Sequence, residues 1–484
     1  MHCRFAILLL MLIAPFAMAQ DDPADPVEPT IEDRIIAALP AVVTSSERNA
    51  LQSLLTSTHW PFQVFGILRL DRHESDVAAP LLLILAESPH WQVRCFVLRQ
   101  SVRANVTLPN SLFAQEEHPR VMRAALRYGI QVDEDRLERG ARKLMRMRKI
   151  DELLLGLELA QASDVAALRS EAASRADRLV RNLDDLTALL VSRRLAVILG
   201  VDPAPKNSQE WRDWLTLQGT SVALAPPSFA RTLAANEPDS EVSTLDSETI
   251  VRLREYLYGL RQADLDVVIA MDSTSSMVPM INQTRAEIDN LIVFLDDIAR
   301  GMRMGFVAYR DHDNPPIWEG VPLTDDIERI RRFLMNVEIT GGTTLPEAVF
   351  EGLAATLQVR WSEDAVKQVI LVGDARPHDA DGYKIAEVLD GLTRQDITVH
   401  AVHVTMDITP EMERRLNDMQ LQGYREHNVR TAQAFSEIAI RGGGELATLG
   451  SSDRLVPAIM HFTLQKDWWS VFDEFYDRYL TLCR

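Results

Sequence analysis

The stretch LeuAspValValIleAlaMetAsp at 265–272 constrains the fold more than any other, because it is a continuous apolar run rich in β-branched residues that ends on an acid. Such a run suits a strand buried on both faces of a parallel sheet, and parallel strands need crossover connections, usually helices. The residues after the strand decide which ligand its end can meet. A dinucleotide or phosphate site needs glycines there, so that backbone can approach a pyrophosphate. Here stand Asp272, Ser273, Thr274, Ser275 and Ser276. In an extended or turning loop Asp272, Thr274 and Ser276 project to one side and offer a carboxylate and two hydroxyls to a hard cation, while Ser273 and Ser275 point elsewhere. An acid followed by hydroxyls is also a common helix start, so the run takes its meaning from the rest of the chain.

Two later segments supply that meaning. After an expected strand at 302–311 and helix at 325–336 comes ThrGlyGlyThrThrLeuProGluAla at 340–348, a tight turn presenting hydroxyls before another helix. ValIleLeuValGlyAspAla at 369–375 then reads as a second buried strand ending on an acid, Asp374. Two strands ending on Asp272 and Asp374 place both carboxylates at the carboxyl edge of a parallel sheet, where open α/β sheets bind ligands.

These residues resemble the metal-ion-dependent adhesion site of von Willebrand factor A domains, whose pattern is D-x-S-x-S, then a separate Thr, then a separate Asp. Asp272, Thr274 and Ser276 match the first motif with Thr for the first Ser, Thr343 matches the lone Thr with Thr344 as its neighbour in an alternative register, and Asp374 matches the last Asp. ValAlaTyrArgAspHisAsp (307–313) and GlyAspAlaArgProHisAsp (373–379) are similar to the branch of the family found beside alpha-kinases. The kinase is not expected here, since about thirty-five residues beyond Leu449 are too few for one. The resemblance implies a Rossmann-like α/β fold over 262–450. It also implies a Mg²⁺ site in which Mn²⁺ substitutes, and a partner protein whose Asp or Glu completes the coordination. Arg310, Asp311, His312 and Asp313 follow the second strand and should lie near that site, either tuning partner choice or forming an ordinary polar loop. His312 and His378 are the evident candidates for a base in a metal-dependent hydrolase, but they lack ligand spacing in sequence.

The N-terminal half has a different texture. From Ile31 to Gly219 apolar residues recur at three and four, glycines are few, and no strand is expected. One unit recurs, as TrpProPheGlnValPheGlyIleLeuArg (60–69), HisTrpGlnValArgCysPheValLeuArg (90–99) and HisProArgValMetArgAlaAlaLeuArg (118–127). Its spacing resembles short HEAT-type helical repeats, with a non-repeating bundle as the plainer alternative. His59, His90 and His118 recur near the helix starts, where turn residues serve better than metal ligands.

Residues 1–19, with Arg4, the apolar run Ala6 to Phe16 and AlaMetAla at 17–19, read as a signal peptide, so export to a periplasmic or extracellular space is expected, with membrane association only if the segment stays uncleaved as an anchor. A flexible acidic, proline-rich arm comes next at 20–30, then the helical domain at 31–219, a linker at 220–246, a lead-in helix at 247–261, the α/β domain at 262–450 and an aromatic-striped helix at 451–484. Cys95 and Cys483 remain after cleavage and do not make a disulfide framework; they read as two unpaired small hydrophobic residues, with pairing in an oxidising compartment as the alternative. The formal charge of −19 argues against nucleic acid or anionic membrane as partner. The chain is therefore expected to be a non-enzymatic exported adaptor, with a structural scaffold carrying a vestigial site, or a metal hydrolase, as the competing readings.

Overall fold

The computed structural model describes residues 29–39, 43–147, 149–218, 222–226, 237–342, 346–408, 410–450 and 453–483. The expected signal at 1–19 and nearly all of the 20–30 arm lie outside them. Among the described residues no helix is long and apolar enough to cross a membrane.

Helices alone occupy the first half, from Ile31–Ala38 to Ser208–Gln218, with no strand among its described residues. The first starts where the local chemistry demands: Thr30 Oγ1 accepts from the Asp33 backbone N–H at 3.1 Å, and Asp33 accepts from Thr30 N–H at 3.1 Å, a reciprocal cap. The three recurring units become the helices Trp60–Arg69, Trp91–Arg103 and Pro119–Arg127, packed side by side in chain order. His59, His90 and His118 each occupy the residue before their helix. His90 Nε2 contacts Thr58 O at 3.0 Å, and His118 stacks on Trp91 with centroids 4.7 Å apart, so these histidines join one turn to the next.

The arginines ending each unit turn inward. Arg69 and Arg99 are 0% and 1% exposed, and a guanidinium so placed must be paired. Arg69 donates to Glu47 at 2.7 and 2.5 Å and to the carbonyls of Val242 and Leu245 at 3.1 and 2.9 Å. Arg99 donates to Glu237 at 2.8 and 2.5 Å, and Arg127 to the carbonyl of Thr481 at 2.9 Å. Part of the expected linker is thus docked: it carries a short helix, Glu241–Thr244, with Ser240 and Val242 fully buried.

The second half is a six-stranded sheet in the order β3-β2-β1-β4-β5-β6, comprising β1 Asp264–Asp272, β2 Gly301–Tyr309, β3 Trp318–Thr324, β4 Ala365–Gly373, β5 Ile397–Val404 and β6 Gly443–Leu449. All pairings are parallel except β2 with β3. The fold class read from the sequence, an all-α half followed by an α/β domain, is the one observed. The antiparallel edge strand β3 has no clear signal in the sequence. It is short and half-exposed and contains Gly320 and Pro322, residues that weaken a strand pattern and are tolerated at an edge.

The aromatic stripe at the C-terminus joins the two halves. In the helix Trp469–Cys483, Phe475 lies 5.7 Å from Trp60, 4.7 Å from Phe65, 6.0 Å from Phe96 and 5.2 Å from Phe294 between ring centroids. Trp60, Phe65 and Phe96 belong to the helical half, whereas Phe294 is on the helix Val278–Ile298 that covers the sheet. One apolar core consequently runs from the repeats to one face of the sheet.

Candidate metal centre

Asp272 is the last residue of β1 and Asp374 directly follows β4; because these strands are adjacent and parallel, with Met271 opposite Val372, both acids arrive at the same carboxyl edge. The chain then folds back on the first acid. Thr274 donates its backbone N–H and its hydroxyl to Asp272 Oδ1 at 2.8 and 2.7 Å, an Asx-type turn that brings the hydroxyl over the carboxylate. Ser276 Oγ lies 3.2 Å from Thr274 Oγ1 and hydrogen-bonds Asp374, whose carboxyl in turn contacts that of Asp272. Ser273 turns away, donating its hydroxyl and N–H to Tyr309 O at 3.1 and 2.8 Å, and Ser275 faces solvent. Asp272, Thr274 and Ser276 therefore lie together with Asp374, four of the five proposed ligands.

The fifth, Thr343, and its alternative Thr344 lie outside the described residues. Their flanks reach the site. Thr340 N–H donates to Ser273 O at 3.2 Å, and Gly341 and Gly342 take positive φ of 86° and 78°, which only glycine adopts at little cost. A Cβ on Gly342 would stand 3.0 Å from Thr274 Cβ. On the far side, Glu347 N–H donates to Arg376 O at 3.1 Å.

Glu347 is the acid that sequence reasoning missed. Its carboxyl is buried, Oε2 has no hydrogen-bond partner, and burial followed by the charges of Asp272, Asp311 and Asp374 pushes it up to about 9. Its only signal is an acid inside the otherwise apolar LeuProGluAlaVal at 345–349. Burial, then Asp374, likewise pushes Asp272 up to about 8, and burial raises Asp374. Tyr309 forms the floor, donating to Val372 O at 3.2 Å; a Cβ on Gly373 would stand 2.6 Å from its hydroxyl, which explains the glycine before Asp374.

The neighbouring arginine does not neutralise these acids. Arg310 is fully buried but donates to the carbonyls of Glu338 and Pro316 and to Glu319, so it fastens its own loop rather than facing a partner. Asp272 Oδ2 and Asp374 Oδ1 are buried with no hydrogen-bond partner. Adjacent acids in this condition are costly without a counter-charge, and their all-oxygen donor set with two hydroxyls fits a hard divalent cation. His312 and His378, 66 positions apart in sequence, meet at the same edge with ring centroids 5.0 Å apart.

Comparison with known proteins identifies the domain on which these residues sit. Residues 266–439 match the von Willebrand factor type A domain. An alpha-protein kinase, vwkA of Dictyostelium discoideum, is 22% identical over 245 residues, covering 43% of this chain and 39% of that protein. The chain thus spans about two-fifths of that relative's length. Among solved structures, the open pilus adhesin SpaC of Lactobacillus rhamnosus GG is 11% identical over 41% of this chain and 29% of its own, with a TM-score of 0.31. An aerotolerance-related membrane protein of Bacteroides fragilis is 16% identical over 41% of this chain and 98% of its own, with a TM-score of 0.29. The chain carries a von Willebrand factor type A domain across residues 266–439.

Proposed function

We propose that the chain is an exported adaptor that binds a partner protein through Mg²⁺ held by Asp272, Thr274, Ser276, Thr343 and Asp374. The observation carrying this reading is the pair of buried carboxylates, each with an unpartnered oxygen, beneath the hydroxyls of Thr274 and Ser276. The two acids supply the charge that balances a divalent ion, and the hydroxyls fill coordination positions without adding charge. A bound Mg²⁺ supplies an open Lewis-acid position for an Asp or Glu of the partner, which makes the contact charge-assisted. Glu347, held uncharged near pH 7 by burial and its acidic neighbours, can ionise once a bound cation offsets those neighbours.

The helical half serves as a HEAT-type scaffold in this reading, and the shared aromatic core fixes the adhesion edge relative to it. The work is binding without turnover. Affinity capture from a periplasmic or secreted fraction, run in Mg²⁺ and in EDTA, tests the proposal. Partner capture in Mg²⁺ that EDTA abolishes supports it. Capture indifferent to EDTA points to a scaffold with a vestigial site, and chelator-sensitive turnover of a substrate points to a hydrolase; either contradicts it.

A further inference from the structure

We propose that Asp311, His312 and His378 form a second cation site, for a borderline divalent ion of the Zn²⁺ class, on the rim beside the Asp272–Asp374 pair. The three side chains come from the loops after β2 and β4, the strands on either side of β1. His378 Nε2 lies 2.9 Å from Asp311 Oδ1, and His312 Nδ1 lies 3.8 Å from the same oxygen. One ligand atom from each of the three falls within 4.8 Å of the others. A tetrahedral ion with bonds of about 2.0–2.1 Å separates neighbouring ligand atoms by about 3.3 Å. The two separations from Asp311 bracket that value, and a nitrogen of each histidine lies within 4.8 Å of the other, so the imidazoles close the site by rotating toward each other.

The surroundings support ligation beyond mere proximity. His312 Nε2 lies 2.8 Å from Glu351 Oε1, leaving Nδ1 directed toward Asp311. A metal-bound histidine characteristically donates its other ring N–H to a carboxylate, which fixes its tautomer and orientation. Asp311 is 4% exposed and its Oδ1 accepts the His312 backbone N–H at 2.8 Å, so the central ligand is held rigidly. His312 and His378 are partly open to solvent, which gives an ion access and leaves a fourth position for water or a partner group.

Two imidazoles and one carboxylate favour Zn²⁺, Co²⁺ or Ni²⁺ over Mg²⁺, whereas the neighbouring all-oxygen set favours Mg²⁺. One sheet edge can therefore sort two kinds of cation. An ion at the second site ties the loop after β2 to the loop after β4 and stiffens the rim around the first. This inference stands independently of partner binding through Mg²⁺.

The test is a Co²⁺ titration of tag-free, chelator-stripped full-length protein in millimolar Mg²⁺, which keeps the all-oxygen site out of competition. The expected result is one Co²⁺ per chain, with visible bands stronger than those of hydrated Co²⁺ that Zn²⁺ bleaches. His378→Ala and His312→Ala should each abolish the bands, and Glu351→Gln, which removes only the supporting carboxylate charge, should weaken binding about tenfold. Circular dichroism melts confirm that each variant is folded; should the alanine variants not fold, Asp311→Asn and Glu351→Gln carry the test. Spectra of hydrated Co²⁺ alone, or bands that persist in folded His378→Ala protein, overturn the proposal.

Discussion

Replacing Asp272 by Asn should stabilise the metal-free protein, although it alters a fully buried polar residue at the centre of the domain. Burial, followed by the Asp374 carboxyl, pushes Asp272 from 3.8 up to about 8. In the unfolded chain the group ionises near 3.8, so between these two values the folded state holds a proton that the unfolded state does not. Stability from this group is therefore fully present below about pH 4 and is lost as pH rises toward 8. At pH 7 the span above 3.8 corresponds to a penalty of about 4 kcal/mol at 1.36 kcal/mol per unit, an upper figure for a pair sharing one environment. The carboxamide of the Asp272→Asn variant carries no such penalty, and its N–H can donate to the buried Asp374 Oδ1 that lacks a partner. Thermal melts in EDTA should show Asp272→Asn gaining roughly 1 °C per kcal/mol of that penalty at pH 7, with the gain vanishing by about pH 4. In Mg²⁺ the order should reverse, because only wild type gains from the ion. A variant less stable than wild type in EDTA at pH 7, or a difference that does not change with pH, would refute the electrostatic reasoning.

Other outcomes rest on the same geometry. Thr274→Ala and Ser276→Ala each remove a neutral ligand that water partly replaces, so calorimetry should show smaller losses of Mg²⁺ affinity than Asp272→Ala; Thr343→Ala should chiefly weaken partner capture. Phe475→Ala empties a fully buried ring shared by both halves and should cost about 3–5 kcal/mol, read as lower denaturant midpoints for helical and sheet signals together. Separate transitions, with only one displaced, contradict a common core. Cys95 and Cys483 are both buried and in contact, and burial, then Cys95, holds the Cys483 thiol well above its usual range. A thiol reagent should accordingly label neither until denaturant is added; fast native labelling contradicts this packing.

Much of the site is legible in the sequence because its signals are local. Strands that end on Asp272 and Asp374 announce themselves by apolar runs, and the turn after Asp272 is encoded by alternate hydroxyls a few residues apart. The aromatic stripe of 469–483 is equally plain, but its cover depends on Trp60, Phe65, Phe96 and Phe294, which no periodicity links. Glu347 and the meeting of His312 with His378 depend on where separate strands deposit their loops, a tertiary property. The repeated Leu-Arg pairs are visible as a repeat, yet the buried task of Arg69 and Arg99 emerges only once 237–245 returns to meet them.

The most direct measurement is a calorimetric Mg²⁺ titration of the chelator-stripped full-length protein beside its folded Asp272→Ala variant. A single Mg²⁺ bound by wild type, with binding lost in the variant, is the expected result, since Asp272 supplies about half the charge of the Asp272–Asp374 pair. Wild-type protein that takes up no Mg²⁺, or an Asp272→Ala variant that binds it with unchanged affinity, contradicts a cation at the ends of β1 and β4.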